Sequence, residues 1–292
     1  MKRPSLDRLL IASLGMLLCA ATGRVHAGPA QEGARCGEAI TLQTREGSTT
    51  RYAYVPPATV DGNGGPVTLV LLPGGSGHVD LDDKGCPRAL TGNSLVRSIP
   101  TFNAAGFGTA LVDAPSDYQT EDGLGGFRTD PRHAEDLGKL IAGLRARTGG
   151  AVWVVGTSRG SISAANAAAR LSGPAAPDGV VLTSALMSGQ AGARKTWVVQ
   201  TVFDLPLEDI RRPLLLVGHA ADKCVRSPPQ AMEKIMARVS AKRRQLVTVT
   251  GGPAYEGPSG LLACEGRSPH GFVDQEAELA AGIGRFVRGG TY

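Results

Sequence analysis

Ala151-Val-Trp-Val-Val-Gly-Thr-Ser-Arg-Gly-Ser161 decides the fold. Ala151 to Val155 are apolar and mostly β-branched, which predicts a strand buried on both faces. Gly156-Thr157-Ser158-Arg159-Gly160 follows at once, and Ser161 to Leu171 is an alanine-rich helical run. A strand that turns sharply into a helix at G-x-S-x-G holds its serine in a strained conformation with Oγ exposed. Gly156 and Gly160 flank that serine because side chains there would collide with the neighbouring strand and helix. The helix N-terminus beneath it favours developing negative charge. In a chain with 40 glycines the pentapeptide alone is a weak signal; the strand before it and the small-residue helix after it give it weight.

Upstream, Val67 to Leu72 is another buried strand, and it runs directly into Pro73-Gly-Gly-Ser-Gly-His78. A glycine-rich loop after a strand lets backbone N–H groups approach a ligand closely. Before it, Ile40–Thr44 and Thr50–Tyr54 read as an antiparallel hairpin turning at Glu46-Gly47. Between these strands and the elbow, Leu90, Leu95, Val96 and Ile99 are candidate helix anchors. Phe107 to Asp113 is a strand, and Tyr118 to Arg128 is a glycine-rich loop placed to border the site and too short for a folded lid. Asp130-Pro131 then opens a helix whose core face is Ala134, Leu137, Leu140, Ile141 and Leu144.

Downstream, Gly179–Thr183, Pro213–Gly218 and Gln245–Thr250 are strands, while Ser188 to Leu207 shows no clear period. Ser227-Pro-Pro-Gln230 has the form of a capping box for a helix burying Met232, Ile235, Met236 and Val239. A final helix presents Leu279, Ile283, Phe286 and Val287. Strands alternating with helices predict a single-domain α/β fold: a mostly parallel eight-stranded sheet, helices on both faces, no large lid.

The first residues stand apart. Lys2, Arg3 and Arg8 precede an apolar run from Leu9 to about Ala21, and Val25-His26-Ala27 matches a small-x-small cleavage site. This predicts a signal peptide over residues 1–27 and one folded domain over 28–292, exported to the periplasm or secreted. The apolar run is shorter than the roughly 20 residues a membrane span needs, so no stable membrane insertion is expected after cleavage. The whole chain carries a net charge of +5, which falls to about +2 once the segment is removed. No basic run is interleaved with aromatics, so nucleic acid is not an expected partner. Cys19 leaves with the signal, and Cys36, Cys86, Cys224 and Cys264 remain, an even number suited to an oxidising compartment.

Chemistry gathers at strand ends. Gly218-His-Ala-Ala-Asp222 follows the seventh strand, where open α/β sheets bind ligands. His270 lies in Ser268-Pro-His-Gly-Phe272, before the final helix. Asp204 and Glu208 are competing acids, and His78, His133 and His219 are competing histidines.

With its Pro73–Gly77 loop, Gly156–Gly160 elbow, Gly218–Asp222 and Ser268–Phe272, the chain resembles the α/β-hydrolase family from about Ile40 onward. The order Ser158, Asp222, His270 matches the nucleophile–acid–histidine order of that fold. The resemblance implies an acyl-enzyme mechanism: Ser158 attacks after His270 takes its proton, and Asp222 orients His270. Backbone N–H groups of Arg159 and of Gly75 or Ser76 would form the oxyanion hole. The Arg159 side chain reads as a surface or structural ion-pair residue, with recognition of an acidic substrate as the alternative. Cys224 is two residues after the candidate acid and Cys264 six before the candidate base, so a bridge between them would pin the two loops. Cys36 and Cys86 are then left to pair. There is no H-E-x-x-H, no Cys-x-x-Cys and no G-x-G-x-x-G after the first strand, so neither metal nor cofactor is expected.

The expected function is an exported serine hydrolase cleaving a carboxylic ester or related acyl bond of a small-molecule substrate. A secreted peptidase, an acyl transferase and a non-catalytic binding protein on the same scaffold are the alternatives.

Overall fold

Residues 36–58 and 65–292 are described by the computed structural model. The expected signal peptide, residues 1–27, lies outside them. Eight strands form one sheet: β1 (Glu38–Arg45), β2 (Ser48–Val55), β3 (Val67–Leu72), β4 (Gly108–Val112), β5 (Ala151–Thr157), β6 (Gly179–Thr183), β7 (Leu214–His219) and β8 (Arg244–Val249). Their spatial order is β1-β2-β4-β3-β5-β6-β7-β8. The β1–β2 hairpin is antiparallel and joins β4 antiparallel; every other pairing is parallel.

The central strands are unbroken apolar runs because helices cover both faces. On one face, Leu95, Phe102, Leu279, Ile283 and Phe286 of α1 (Ser94–Ala104) and α5 (Glu276–Val287) meet Leu69, Leu71, Val155 and Val217. On the other, Leu137, Leu140, Ile141 and Leu144 of α2 (Pro131–Thr148) and the alanines of α3 (Gly160–Arg170) meet Val70, Leu72, Val154 and Leu182. The short α4 (Met232–Arg238) adds Met232 and Ile235 to that second layer. As its sequence predicts, Asp130 caps α2, accepting from the Arg132 N–H, with proline at the first turn.

Two local expectations are corrected. Leu90 is not in a helix: it adopts φ +53, and α1 starts only after Asn93, whose side chain accepts from the Leu95 N–H. Ser227 does not cap a helix. Its hydroxyl donates to the Ser184 carbonyl, Pro228 and Pro229 lead into a 3-10 turn, and α4 begins at Met232 without a side-chain cap. The segment between β6 and β7 is built from 3-10 turns (Thr196–Val199, Val202–Asp204, Leu207–Asp209), so it contributes loop walls and no inserted domain.

Candidate active site

Parallel pairing brings the strand ends together. Leu72 pairs with Gly156, so the Pro73–Gly77 loop and Ser158 leave the same sheet edge side by side. Ser158 adopts φ +52, a costly conformation for a residue with a side chain. The close packing explains its neighbours: a Cβ on Gly160 would run into the carbonyl oxygens of Leu72 and Pro73, and one on Gly156 into the Gly160 carbonyl. The Ser158 N–H donates to the Thr183 carbonyl at 2.9 Å, and the Ser161 hydroxyl donates to the Ser158 carbonyl at 2.5 Å.

Asp222 follows β7 in a turn closed by its own N–H on the His219 carbonyl. Its Oδ1 accepts from the Cys224 N–H at 2.8 Å and its Oδ2 faces His270 Nδ1 at 2.9 Å. The two side chains are 1% and 4% exposed. His270 sits in a 3-10 turn, Pro269–Gly271, capped by the Ser268 hydroxyl. Its Nε2 is buried and has no hydrogen-bond partner among the described residues. Ser158 and His270 line one cleft of about 260 Å³, together with Gly74, Gly75, Asn93 and Gly266.

In the Pro73–Gly77 loop, the Gly77 N–H donates to the Gly74 carbonyl and the His78 N–H to the Ser76 hydroxyl. The N–H groups of Gly75 and Ser76, and that of Arg159 ahead of α3, have no acceptor among the described loop bonds. The loop is held from below by Arg128. Its Nη2 donates to the carbonyls of Pro73 at 3.1 Å and Gly75 at 3.4 Å, and its Nη1 donates to Ser163 Oγ at 2.7 Å. Burial, with the Arg159 charge adding to it, pushes the Arg128 guanidinium down to about 9.

The competing residues lie elsewhere. His78 Nδ1 meets Asp113 Oδ1 at 2.9 Å, and Asp113 also accepts from the N–H groups of Val79, Leu81 and Ala114. That pair ties the end of the Pro73–His78 loop to β4. His133 is buried against Ser163, and His219 Nε2 faces Gln275 Oε1 at 2.8 Å. Asp204 caps its own turn at Thr201, and Glu208 pairs with Arg238.

The ion-pair reading of the Arg159 side chain is not what the structure holds. No carboxylate lies within ion-pair distance of it among the described residues; its guanidinium stacks 3.7 Å from the Trp197 ring centroid. Such a cation–π contact contributes about 0.5–2 kcal/mol, depending on desolvation. Burial and the nearby Arg226 charge push Arg159 down to about 10. Arg128, Trp197 and Arg226 went unread in the sequence as site-forming residues. Trp197 falls in the aperiodic 188–207 stretch, but Arg226 stands only four residues beyond Asp222.

Both disulfides are formed, Cys36–Cys86 and Cys224–Cys264. The second joins the Asp222 loop to the segment leading to His270, reinforced by the Gly260 N–H donating to the Lys223 carbonyl. Asp222, Cys224 and His270 place potential ligand atoms within 4.8 Å of one another, but the Cys224 sulfur is engaged in the disulfide and offers no thiolate to a metal. Among the described residues no helix is long and apolar enough to cross a membrane.

No protein-family model and no curated relative matches the chain. Solved structures do. An α/β serine hydrolase homologue from Coxiella burnetii aligns with TM-score 0.53 at 13% identity, over 86% of this chain and 97% of the other. A proline iminopeptidase from Mycobacterium smegmatis gives 0.56 at 11%, over 86% and 97%. A cold-adapted esterase from an Arctic intertidal metagenomic library gives 0.52 at 14%, over 87% and 93%. With its sheet order, its sharp turn at Ser158 and these likenesses, the chain has the α/β-hydrolase fold.

Proposed function

We propose that the protein is an exported serine hydrolase that cleaves a carboxylic ester or related acyl bond. One observation carries the reading. The strained Ser158 shares a cleft with His270, whose Nδ1 is held by buried Asp222 and whose Nε2 has no hydrogen-bond partner among the described residues. A histidine fixed at one nitrogen and left free at the other is equipped to take a proton from a hydroxyl.

In this reading Ser158 Oγ bonds to the acyl carbon as His270 Nε2 accepts its proton. The oxyanion is held by the N–H groups of Arg159 and of Gly75 or Ser76. His270 then gives the proton to the leaving oxygen, and the alcohol departs. Water attacks the acyl-enzyme with His270 as base, releasing the acid and restoring Ser158. Asp222 orients the imidazole and stabilises its charged form. The two disulfides support export, because such bonds persist in oxidising compartments.

Treatment with a fluorophosphonate probe and mass-spectrometric mapping tests the assignment. The expected adduct is on Ser158, lost in Ser158→Ala and strongly reduced in His270→Ala. A folded, disulfide-bonded sample that stays unlabelled would refute the nucleophile. Export is tested by sequencing the N-terminus of protein recovered outside the cytoplasm, with Gly28 expected first.

A further inference from the structure

Gly75, Ser158 and Cys264 of that cleft also line a second lobe of about 340 Å³, to which His270 does not contribute. Leu186, Val198 and Leu261 supply apolar wall, and two arginines, Arg159 and Arg226, supply charge. Arg226 is only 6% exposed. It donates from Nη2 to the Val198 carbonyl, while its buried Nε has no partner among the described residues. Arg159 lies on Trp197 and makes no ion pair among the described residues. Asp122 is the carboxylate that acts on Arg159 from a distance, and it is bound by Lys195, which Glu121 also approaches. Burial weakens both guanidinium groups as bases, and at Arg159 the Arg226 charge adds to it.

Two like charges held beside apolar wall, without a carboxylate between them, are unfavourable until an anion arrives. A guanidinium also matches a carboxylate in geometry, with paired N–H donors. The direction of the chemistry places that anion. His270 hands its proton to the leaving oxygen, so the leaving group occupies the His270 lobe, where exposed Glu265 opposes a negative charge. The acyl chain then extends into the arginine lobe. We propose that this lobe receives a carboxylate carried at the far end of the acyl chain, so that the substrate class is the monoesters of dicarboxylic acids. The proposal rests on the serine-hydrolase reading.

The test compares the 4-nitrophenyl monoester of glutaric acid with 4-nitrophenyl valerate, a neutral ester of similar acyl length. The charged ester should have the higher kcat/KM by about tenfold or more, the scale of a charge-assisted hydrogen bond. In Arg226→Gln that preference should shrink by about the same factor, mostly through KM, and Arg226→Lys should restore part of it. Equal kcat/KM for the two esters in the unmodified protein, or a preference that survives in Arg226→Gln, would overturn the proposal. Arg159→Gln provides a second variant should Arg226→Gln fail to fold. A calorimetric titration of Ser158→Ala with monomethyl glutarate reads the lobe without turnover, and binding should weaken when Arg226→Gln is added. Anion binding without probe labelling of Ser158 would remove the hydrolase reading and keep an anion site. Labelling with neither preference nor binding would keep the hydrolase and refute the lobe's role.

Discussion

Ser184 donates from Oγ to the backbone carbonyl of His270 at 2.7 Å, across 86 residues of chain. Ser184 follows β6 at φ +44, and its N–H donates to the Val217 carbonyl of β7. The loop carrying His270 is therefore fastened to the sheet by a residue outside the Ser158–Asp222–His270 set. Ser184→Gly removes the hydroxyl while tolerating the positive φ. It should lower kcat about tenfold with a smaller change in KM, and cost about 1–2 kcal/mol in denaturant unfolding. Unchanged kcat would show that the His270 loop is held without this bond.

Breaking the two disulfides should have different consequences. Replacing Cys224 and Cys264 together with serine should cost about 2–4 kcal/mol of stability and also reduce kcat, because the bridge ties the Asp222 loop to the approach to His270. The same change at Cys36 and Cys86, which join the start of β1 to the loop after His78, should cost similar stability with little loss of kcat. Ester turnover measured well below each variant's Tm separates the two. Equal kcat losses would contradict the assignment.

Arg128 is 3% exposed and grips the Pro73–Gly77 loop through its carbonyls. Arg128→Met fills similar space and removes a buried cation that has no carboxylate partner among the described residues, so the unfolding free energy should move by only about 1–2 kcal/mol. The freed loop should nonetheless lose oxyanion alignment, lowering kcat by about 10–100-fold. Arg128→Lys should rescue little, since an ammonium cannot fork to Ser163 and two carbonyls. Steady-state kinetics beside urea unfolding checks this, and wild-type kcat in Arg128→Met would refute it.

His133 gives a pH prediction. Burial, then the Arg128 charge, pushes its imidazole down to about 3 from an ordinary value of about 6.5. Between those values the unfolded chain binds a proton that the folded chain refuses. The associated stability is present above about pH 6.5 and is lost as pH falls toward 3. His133→Gln should flatten the decline of unfolding free energy between about pH 6.5 and 4. Parallel slopes for the two proteins would show that His133 is not the group responsible.

What the sequence made legible, and what it did not, follows from the range of the forces involved. The elbow at Ser158 is readable because its requirements are local: a buried strand, glycines where backbones touch, small residues in the next helix. The strands are readable because burial on both faces leaves them uniformly apolar. Asp222 and His270 are placed by where they follow strands in the chain. Leu90 misleads because its apolar side chain fits a helical period while its backbone turns left-handed. Ser227 misleads because a hydroxyl five residues before the start of a helix can be claimed by a distant carbonyl, here that of Ser184. Trp197 and Arg226 could not be joined from sequence, because 3-10 turns carry no apolar period and the lobe between them is made only by tertiary contact.

The bridge from Cys224 to Cys264 also orders events in time. Cys264 follows β8 in the chain, so its bond to Cys224 can close only once β8 has been made, and that bond needs an oxidant. In the proposed hydrolase the fastening of the acid and base loops would thus come late, and under oxidising conditions. A chain not yet oxidised would have the Ser158 turn but lack this fastening between the acid and base loops. In the proposed hydrolase its turnover would be slower than that of the bridged protein, so oxidation would raise activity along with stability.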